Sequence, residues 1–314
     1  MNGLELSRSF FEEYGRPMLE ESFPELMPLL AVGLVGSGSE RFGFDDEISR
    51  DHDFEPGFCM FLPTEDRLDR RSEFLLERAY SKLPKEYEGI KRLRMSPVGG
   101  NRNGVMRTAD FYSGKTGFPD GGLSTEAWLT IPDEALAEAV NGEVFYDGYG
   151  EFTAIRNRIK NMPEDIRLKR IAGNLLLMGQ SGQYNYSRCL KHGEHEAAQL
   201  ACGEFVNSAL KVFFLLSGSY KPYYKWSFRA LRQLDGGEEL ADKLSFILQW
   251  NRMNEAADER KLEMIEEASM QTVEKLVSCG ITDSRSLELE EQAYLLNNRI
   301  ADSSLRNLHI LAAV

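Results

Sequence analysis

The feature that most restricts the fold of this chain is a change in hydrophobic period near residue 152. From there to the C-terminus apolar residues recur at helical spacing, and alternating strand patterns nearly vanish. We place a domain boundary near Pro163, with mixed α and β structure before it and a helical bundle after it. The chain is therefore predicted to be an α+β protein with two domains, 1–162 and 163–314. The predicted helices are 152–161, 163–181, 194–217, 221–234, 237–250, 256–278 and 284–312.

The first 162 residues carry strand signals separated by turns. An apolar run at 29–35 stops abruptly at Gly36, which is typical of a buried strand that enters a tight turn. Residues 4–28 predict one or two helices interrupted near Pro17 and Pro24. The amphipathic stretch 64–83 predicts another helix. Further short strands are expected at 52–62, 90–95, 104–108 and 143–147.

Charge and cysteine usage exclude several classes of protein. The formal net charge of −13 argues against a dedicated nucleic-acid or anionic-membrane binder, since both need a basic surface. The four cysteines are scattered and form no CxxC pair, which fits neither a disulfide framework nor a zinc site. No secretory signal and no run near 18 apolar residues is present. We expect a soluble protein of the cytoplasm that makes no membrane contact.

Two segments of the first domain suggest phosphate and metal chemistry. The turn at 36–39 offers backbone N–H groups and the Ser37 and Ser39 hydroxyls to a polyphosphate. About 14 residues later come Asp51 and Asp53, which a strand would point to one face. Two carboxylates on one face repel each other unless a cation lies between them, and Mg²⁺ binds one or two carboxylates together with phosphate oxygens. The chemistry implied is attack of an acceptor oxygen on an α-phosphorus.

These residues resemble a known superfamily. Gly36-Ser37 followed by Asp51 and Asp53 is similar to the pattern of the DNA polymerase β-like nucleotidyltransferases, whose kanamycin nucleotidyltransferase branch also carries a C-terminal helical bundle. The stretches 141–147, 183–185 and 220–226 resemble a bacterial group called domain-of-unknown-function family 4037.

The resemblance implies a function for several residues. Gly36 and Ser37, with Ser39 in the same turn, would hold the phosphates of ATP, and Asp51 and Asp53 would hold Mg²⁺. The superfamily also expects a third carboxylate on a later strand. Asp147 is the first choice for this catalytic position, and Glu143 and Asp110 are the alternatives.

The helical half contributes two candidate cations. Arg188 is predicted to clamp a phosphate, or else to pair with a nearby acid. Lys225, in an aromatic and basic segment at 220–226, is predicted to face the nucleotide phosphates, or else to begin a helix packed in the bundle. The motif 113–116 mimics the end of a Walker A loop, but Ala109 replaces the first glycine, so an ordinary loop is expected.

The resulting hypothesis is an Mg²⁺-dependent nucleotidyltransferase that transfers AMP from ATP to a hydroxyl of a small molecule or a protein. A homodimer is an open alternative to a monomer. A nucleotide-binding regulatory protein without catalysis is the competing hypothesis, because the third carboxylate is ambiguous.

Overall fold

A computed structural model describes residues 1–47, 54–92, 102–249 and 255–314. The backbone groups into two compact units. The first unit contains Met1–Leu123 and Ala135–Asn161, and the second contains Ser124–Glu134 and Met162–Val314. The protein is α+β, with a small mixed sheet in the first unit and only helices among the described elements of the second.

The strands of the first unit are β1 Ala31–Leu34, β2 Cys59–Leu62, β3 Glu86–Tyr87, β4 Ile90–Lys91, β5 Gly104–Arg107 and β6 Glu143–Asp147. Four of them form a sheet in the order β5-β2-β1-β6. The strand β1 pairs antiparallel with both β2 and β6, and β2 pairs parallel with β5. A separate two-stranded hairpin is formed by β3 and β4.

Helices cover both faces of this sheet because β2 is apolar on both sides. Met60 and Leu62 belong to the core formed with the first three helices. Phe61 points the other way, as strand alternation requires, and stacks on Phe152 at 4.1 Å between ring centroids. The helices of this unit are α1 Gly3–Phe10, α2 Arg16–Ser22, α3 Arg70–Lys82, α4 Thr108–Thr116, α6 Asp133–Val140 (its first two residues counted with the second unit) and α7 Glu151–Lys160.

The predicted strands lie where the sequence placed them, but some are shorter than predicted. The runs at 29–35, 104–108 and 143–147 are confirmed as β1, β5 and β6. The predicted strand 52–62 is too long, because within its described part, 54–62, regular pairing begins only at Cys59. The predicted strand 90–95 is a two-residue strand in a hairpin as far as the chain is described.

The helix predictions near the N-terminus need one correction. Pro17 does not interrupt the helical path, because a π-helical turn, Phe11–Gly15, connects α1 to α2 and places Pro17 within the first turn of α2. The predicted helix 64–83 starts later than expected, at Arg70, where the Asp69 side chain caps the backbone N–H of Ser72.

The second unit confirms a largely helical C-terminal half. The predicted helix 284–312 is wrong in extent, since two shorter helices, α14 and α15, occupy this stretch. The helix α10 is long and apolar enough to cross a membrane by composition, but 67% of its most apolar window is buried inside the protein, as in a core helix. The helices are α5 Thr125–Thr130, α8 Glu164–Met178, α9 Ser187–Lys191, α10 His195–Leu216, α11 Tyr224–Leu231, α12 Gly237–Leu248, α13 Glu255–Ser278, α14 Leu289–Arg299 and α15 Ser303–Arg306.

Candidate functional site

The turn that follows β1 depends on two glycines. Gly36 and Gly38 have φ angles of 102° and 133°, a region that side chains strongly disfavour. A Cβ at Gly36 would also lie 3.3 Å from the Phe111 ring, and one at Gly38 would lie 2.4 Å from Glu40 Oε1. The turn is therefore specified by its glycines, as the small-residue pattern predicted.

Asn141, two residues before β6, holds the backbone of this turn. The Gly36 N–H donates to Asn141 Oδ1 at 2.8 Å, and Asn141 Nδ2 donates to the Gly36 carbonyl at 2.7 Å. We call this reciprocal pair the Asn141 clasp. Because the Gly36 N–H already has a partner, the predicted phosphate contact at this residue stays a prediction.

The hydroxyl of the turn contacts two charged side chains. Lys115 Nζ lies 2.7 Å from Ser37 Oγ, and Ser37 Oγ donates to Glu138 Oε2 at 2.7 Å. Lys115 Nζ also pairs with Glu138 Oε2 at 2.5 Å. We call these three residues the Ser37 cluster. The side chains of Lys115 and Glu138 are 21% and 23% exposed, so the cluster is shielded but reachable from solvent.

Lys115 was not among the predicted site residues. The segment 113–116 was expected to be an ordinary loop, and this is wrong because it forms the last turn of α4. It is also no Walker A loop, since Lys115 lies at the end of a helix rather than at its beginning. No local pattern in the sequence could have found this lysine, because its partner Ser37 lies 78 residues away.

The charges of the Ser37 cluster determine what it can do. Lys115 Nζ and Ser37 Oγ both donate to the same carboxylate oxygen, Glu138 Oε2. The cluster is therefore suited to anion binding, with an ammonium and a hydroxyl as donors. In the structure, the Glu138 carboxylate is the partner of both donors.

A buried ion pair directly after the turn stabilises its conformation. Glu40 and Arg41 pair with each other, and the Arg41 side chain is 2% exposed. Arg41 donates to the Val35 carbonyl at 2.8 Å and to Asn103 Oδ1 at 2.8 Å. Burial raises the pKa of the neighbouring Cys59 thiol, which keeps the thiol protonated. These contacts fix the chain as it leaves β1.

Ser39, another predicted phosphate ligand in this turn, forms a hydrogen bond through its backbone carbonyl. Ser39 begins a short 3₁₀ turn, and its carbonyl accepts from the Phe44 N–H at 2.9 Å. Its side chain is half-buried. A phosphate contact by Ser39 stays a prediction.

The candidates for the third carboxylate have different surroundings. Asp147 accepts from the Gly150 N–H at 2.7 Å and from the Thr153 N–H at 2.8 Å, so both of its oxygens hold the start of α7. Glu143 forms an ion pair with Arg8.

The alternative Asp110 is exposed near the start of α4. Asp51 and Asp53 lie outside the described residues, and the predicted roles of all these acids stay predictions. Within the described ranges, no three His, Cys, Asp or Glu side chains are grouped as metal ligands.

The two predicted cations of the second unit are both on the surface. Arg188 is exposed and lies over the ring of Tyr184, 5.0 Å from its centroid. Lys225 is exposed in the first turn of α11, next to Tyr224, which is 66% exposed. Lys225 thus lies at a helix start, but its side chain is not packed in the bundle, and its phosphate contact stays a prediction.

A buried polar cluster in the second unit was missed by the sequence reasoning. Arg170 Nη2 pairs with Asp133 Oδ1 at 2.9 Å, and both side chains are at least 95% buried. Lys221 is 7% exposed, and burial lowers the pKa of its amine, while the carboxylates of Glu134 and Asp133 counteract this effect. No local pattern marks these charges as buried, since Asp133 precedes Glu134 and Arg170 follows Lys169, as on an ordinary exposed helix.

The segment that contains this cluster matches a known family. Residues 128–227, about a third of the chain, match the model of a family described as Domain of unknown function (DUF4037). No curated protein matches the sequence.

A solved structure of a nucleotidyltransferase-like protein from Exiguobacterium sibiricum 255-15 is similar over 92% of this chain and 90% of its own length. Its sequence identity is 12% and its TM-score is 0.38. Backbones at this TM-score diverge too far for the likeness to carry an argument.

Proposed function

We propose that this protein is a nucleotidyltransferase that transfers AMP from ATP to a hydroxyl of a small molecule or a protein. The observation that carries the proposal is the Ser37 cluster at the end of β1. There a hydroxyl and an ammonium lie 2.7 Å apart beside a glycine turn, as a binding site for phosphate oxygens requires.

Binding of the triphosphate exchanges one anion for another. The phosphate oxygens take the place of the Glu138 carboxylate at Lys115 Nζ and Ser37 Oγ. The ammonium then neutralises charge on the phosphates, and the hydroxyl fixes one oxygen. Glu138 therefore opposes binding, while Lys115 and Ser37 favour it.

Mg²⁺ is part of the proposal through Asp51 and Asp53, which lie outside the described residues. When bound, Mg²⁺ would lower the charge on the phosphates that meet the acceptor. Asp147 serves as the third ligand in this proposal only if α7 gives up a capping contact, since both carboxylate oxygens accept backbone N–H groups. The acceptor, a protein or small molecule, is not a nucleic acid in this proposal, and the protein acts in the cytoplasm.

The binding step is tested by opposite substitutions in the cluster. We expect Lys115→Met to weaken ATP binding by about tenfold and Glu138→Gln to strengthen it by about fivefold, since a partly exposed charge contact is worth roughly 1 kcal/mol. Lys160→Met, at an exposed lysine of the same unit, is the matched control and should change nothing. Calorimetric titration with ATP measures all three. Equal affinities in the Lys115 and Glu138 variants would refute the proposed site.

The chemical step is tested separately. Pyrophosphate release from ATP should require Mg²⁺ and should be abolished by Asp51→Asn or by Asp53→Asn, with the circular dichroism spectrum unchanged. Turnover that persists in both variants would exclude the proposed metal ligands.

A regulatory nucleotide-binding protein is the second candidate. It is favoured by the local partners of Asp147 and Glu143, which leave two of the candidate third carboxylates engaged. ATP binding that follows the Lys115 and Glu138 pattern, without pyrophosphate release across a broad set of acceptors, would support it.

A further inference from the structure

The first unit contains a groove that combines apolar walls with positive charge. The residues that line it are distant in sequence from those of the Ser37 cluster. The groove lies between α2 and α3 and has a volume of about 620 Å³, within the range of roughly 300–1,000 Å³ typical of small-molecule sites. We call it the α2–α3 groove. Its apolar walls are formed by Met18, Phe23, Leu75, Ala79, Leu83 and Pro84.

The positive charge comes from Arg78 and Lys82, which lie on the same face of α3 as Leu75 and Ala79. Both are exposed, and neither forms a hydrogen bond or ion pair through its side chain with any residue in the described parts of the chain. This is notable in a chain with 50 acidic and 37 basic residues, where a carboxylate partner is easily supplied. Among the described residues, none of those that line the groove is acidic.

The apolar surface continues outside the groove on the same helix. Leu75 is 41% exposed, and the preceding Phe74 is 60% exposed. Large apolar side chains that are exposed together mark a binding surface more often than scattered single ones do. The helix thus presents apolar and cationic groups along one open side.

We infer that the α2–α3 groove binds a small amphiphilic anion, with a single apolar tail along α3 and a carboxylate-like head group at Arg78 and Lys82. The net charge of the chain favours a small ligand over a large one. A large acidic protein or an anionic membrane would meet the field of a chain with net charge −13. A ligand of groove size lies within about one Debye length, roughly 8 Å, of the two cations and is attracted by them.

The test uses dodecanoate as the anion and dodecyltrimethylammonium as a cation with the same tail, each titrated calorimetrically into the full-length protein below its micelle concentration. We expect one dodecanoate per chain and much weaker binding of the cation. Arg78→Gln with Lys82→Gln should weaken dodecanoate binding by about tenfold, because each surface ion pair is worth at most roughly a factor of five. Lys91→Gln, an exposed lysine outside the groove, is the control and should leave the affinity unchanged.

A second variant tests the apolar walls. Ala79→Trp should fill the groove and abolish dodecanoate binding. If the Ala79→Trp protein does not fold, the variant with Arg78→Gln and Lys82→Gln provides the test. The inference is overturned if dodecanoate does not saturate one site, or if the cation binds equally well. It is also overturned if the glutamine variant binds as tightly as the native protein, or if the face binds anionic vesicles or an acidic amphipathic peptide but not free dodecanoate.

Discussion

The Asn141 clasp leads to a prediction whose size follows from its two hydrogen bonds. Asn141→Ala removes the acceptor for the Gly36 N–H and the donor for the Gly36 carbonyl. Each bond contributes about 1 kcal/mol net, and a buried backbone group left without a partner adds to the cost, so the expected loss is about 2–3 kcal/mol. Gly36 is buried, which makes replacement by water difficult.

The assay must report on the first unit. Trp128 and Trp226 both lie in the second unit, and the sequence ranges of the first unit contain no tryptophan, so tryptophan fluorescence is a poor probe of the clasp. Hydrogen exchange of peptides that cover β1 and β6 follows the first unit directly. A loss of 2–3 kcal/mol should speed their exchange by about 30- to 150-fold, at a factor of ten per 1.4 kcal/mol.

The matched control is Asn161→Ala, an exposed asparagine at the end of α7 in the same unit. A surface substitution of this kind should change the free energy of unfolding by less than about 0.5 kcal/mol. If exchange in β1 and β6 is no faster for Asn141→Ala than for Asn161→Ala, the clasp does not stabilise the turn.

The remaining predictions concern single contacts in each unit. Arg170→Met leaves the buried Asp133 carboxylate unpaired and should lower the free energy of unfolding by about 3–5 kcal/mol; tryptophan fluorescence in urea measures it, with the exposed Arg232→Met as control. Asp147→Ala should cost about 1–2 kcal/mol because α7 loses both capping contacts, whereas Asp147→Asn keeps one acceptor oxygen and should cost less. A melting temperature of Asp147→Ala equal to that of the native protein would exclude the capping role, and loss of pyrophosphate release in a folded Asp147→Asn would indicate a catalytic role. Burial lowers the pKa of the Lys169 amine, so the folded chain binds this proton less firmly than the unfolded chain. The free energy of unfolding should therefore rise with pH from the folded-state pKa towards the unfolded value of about 10.4, and Lys169→Met should remove this rise in urea titrations.

Much of the secondary structure could be predicted because its signals are local. The apolar run before Gly36 identified β1, and the turn residues around 143–147 identified β6. The long helical periods identified the C-terminal half. Predictions failed where a local signal was weak or misleading, as at 113–116, where a loop was expected. There α4 continues to Thr116, and its Phe111 and Tyr112 pack against Phe152.

The candidate site could be predicted only in part. The glycine turn and Ser37 follow from residue types in one short segment. Lys115, Glu138 and Asn141 do not, because nothing in their own neighbourhoods indicates an approach to residues 36 and 37.

The amino-acid sequence by itself determined the α+β class, the buried strand β1 and the glycine turn behind it, since hydrophobic period and backbone freedom act over a few residues. Only the tertiary structure decided that a lysine and a glutamate meet the Ser37 hydroxyl, and that Asn141 clasps Gly36 across 105 positions of the chain. Such contacts depend on how helices and strands pack, and many packings are compatible with the same local pattern.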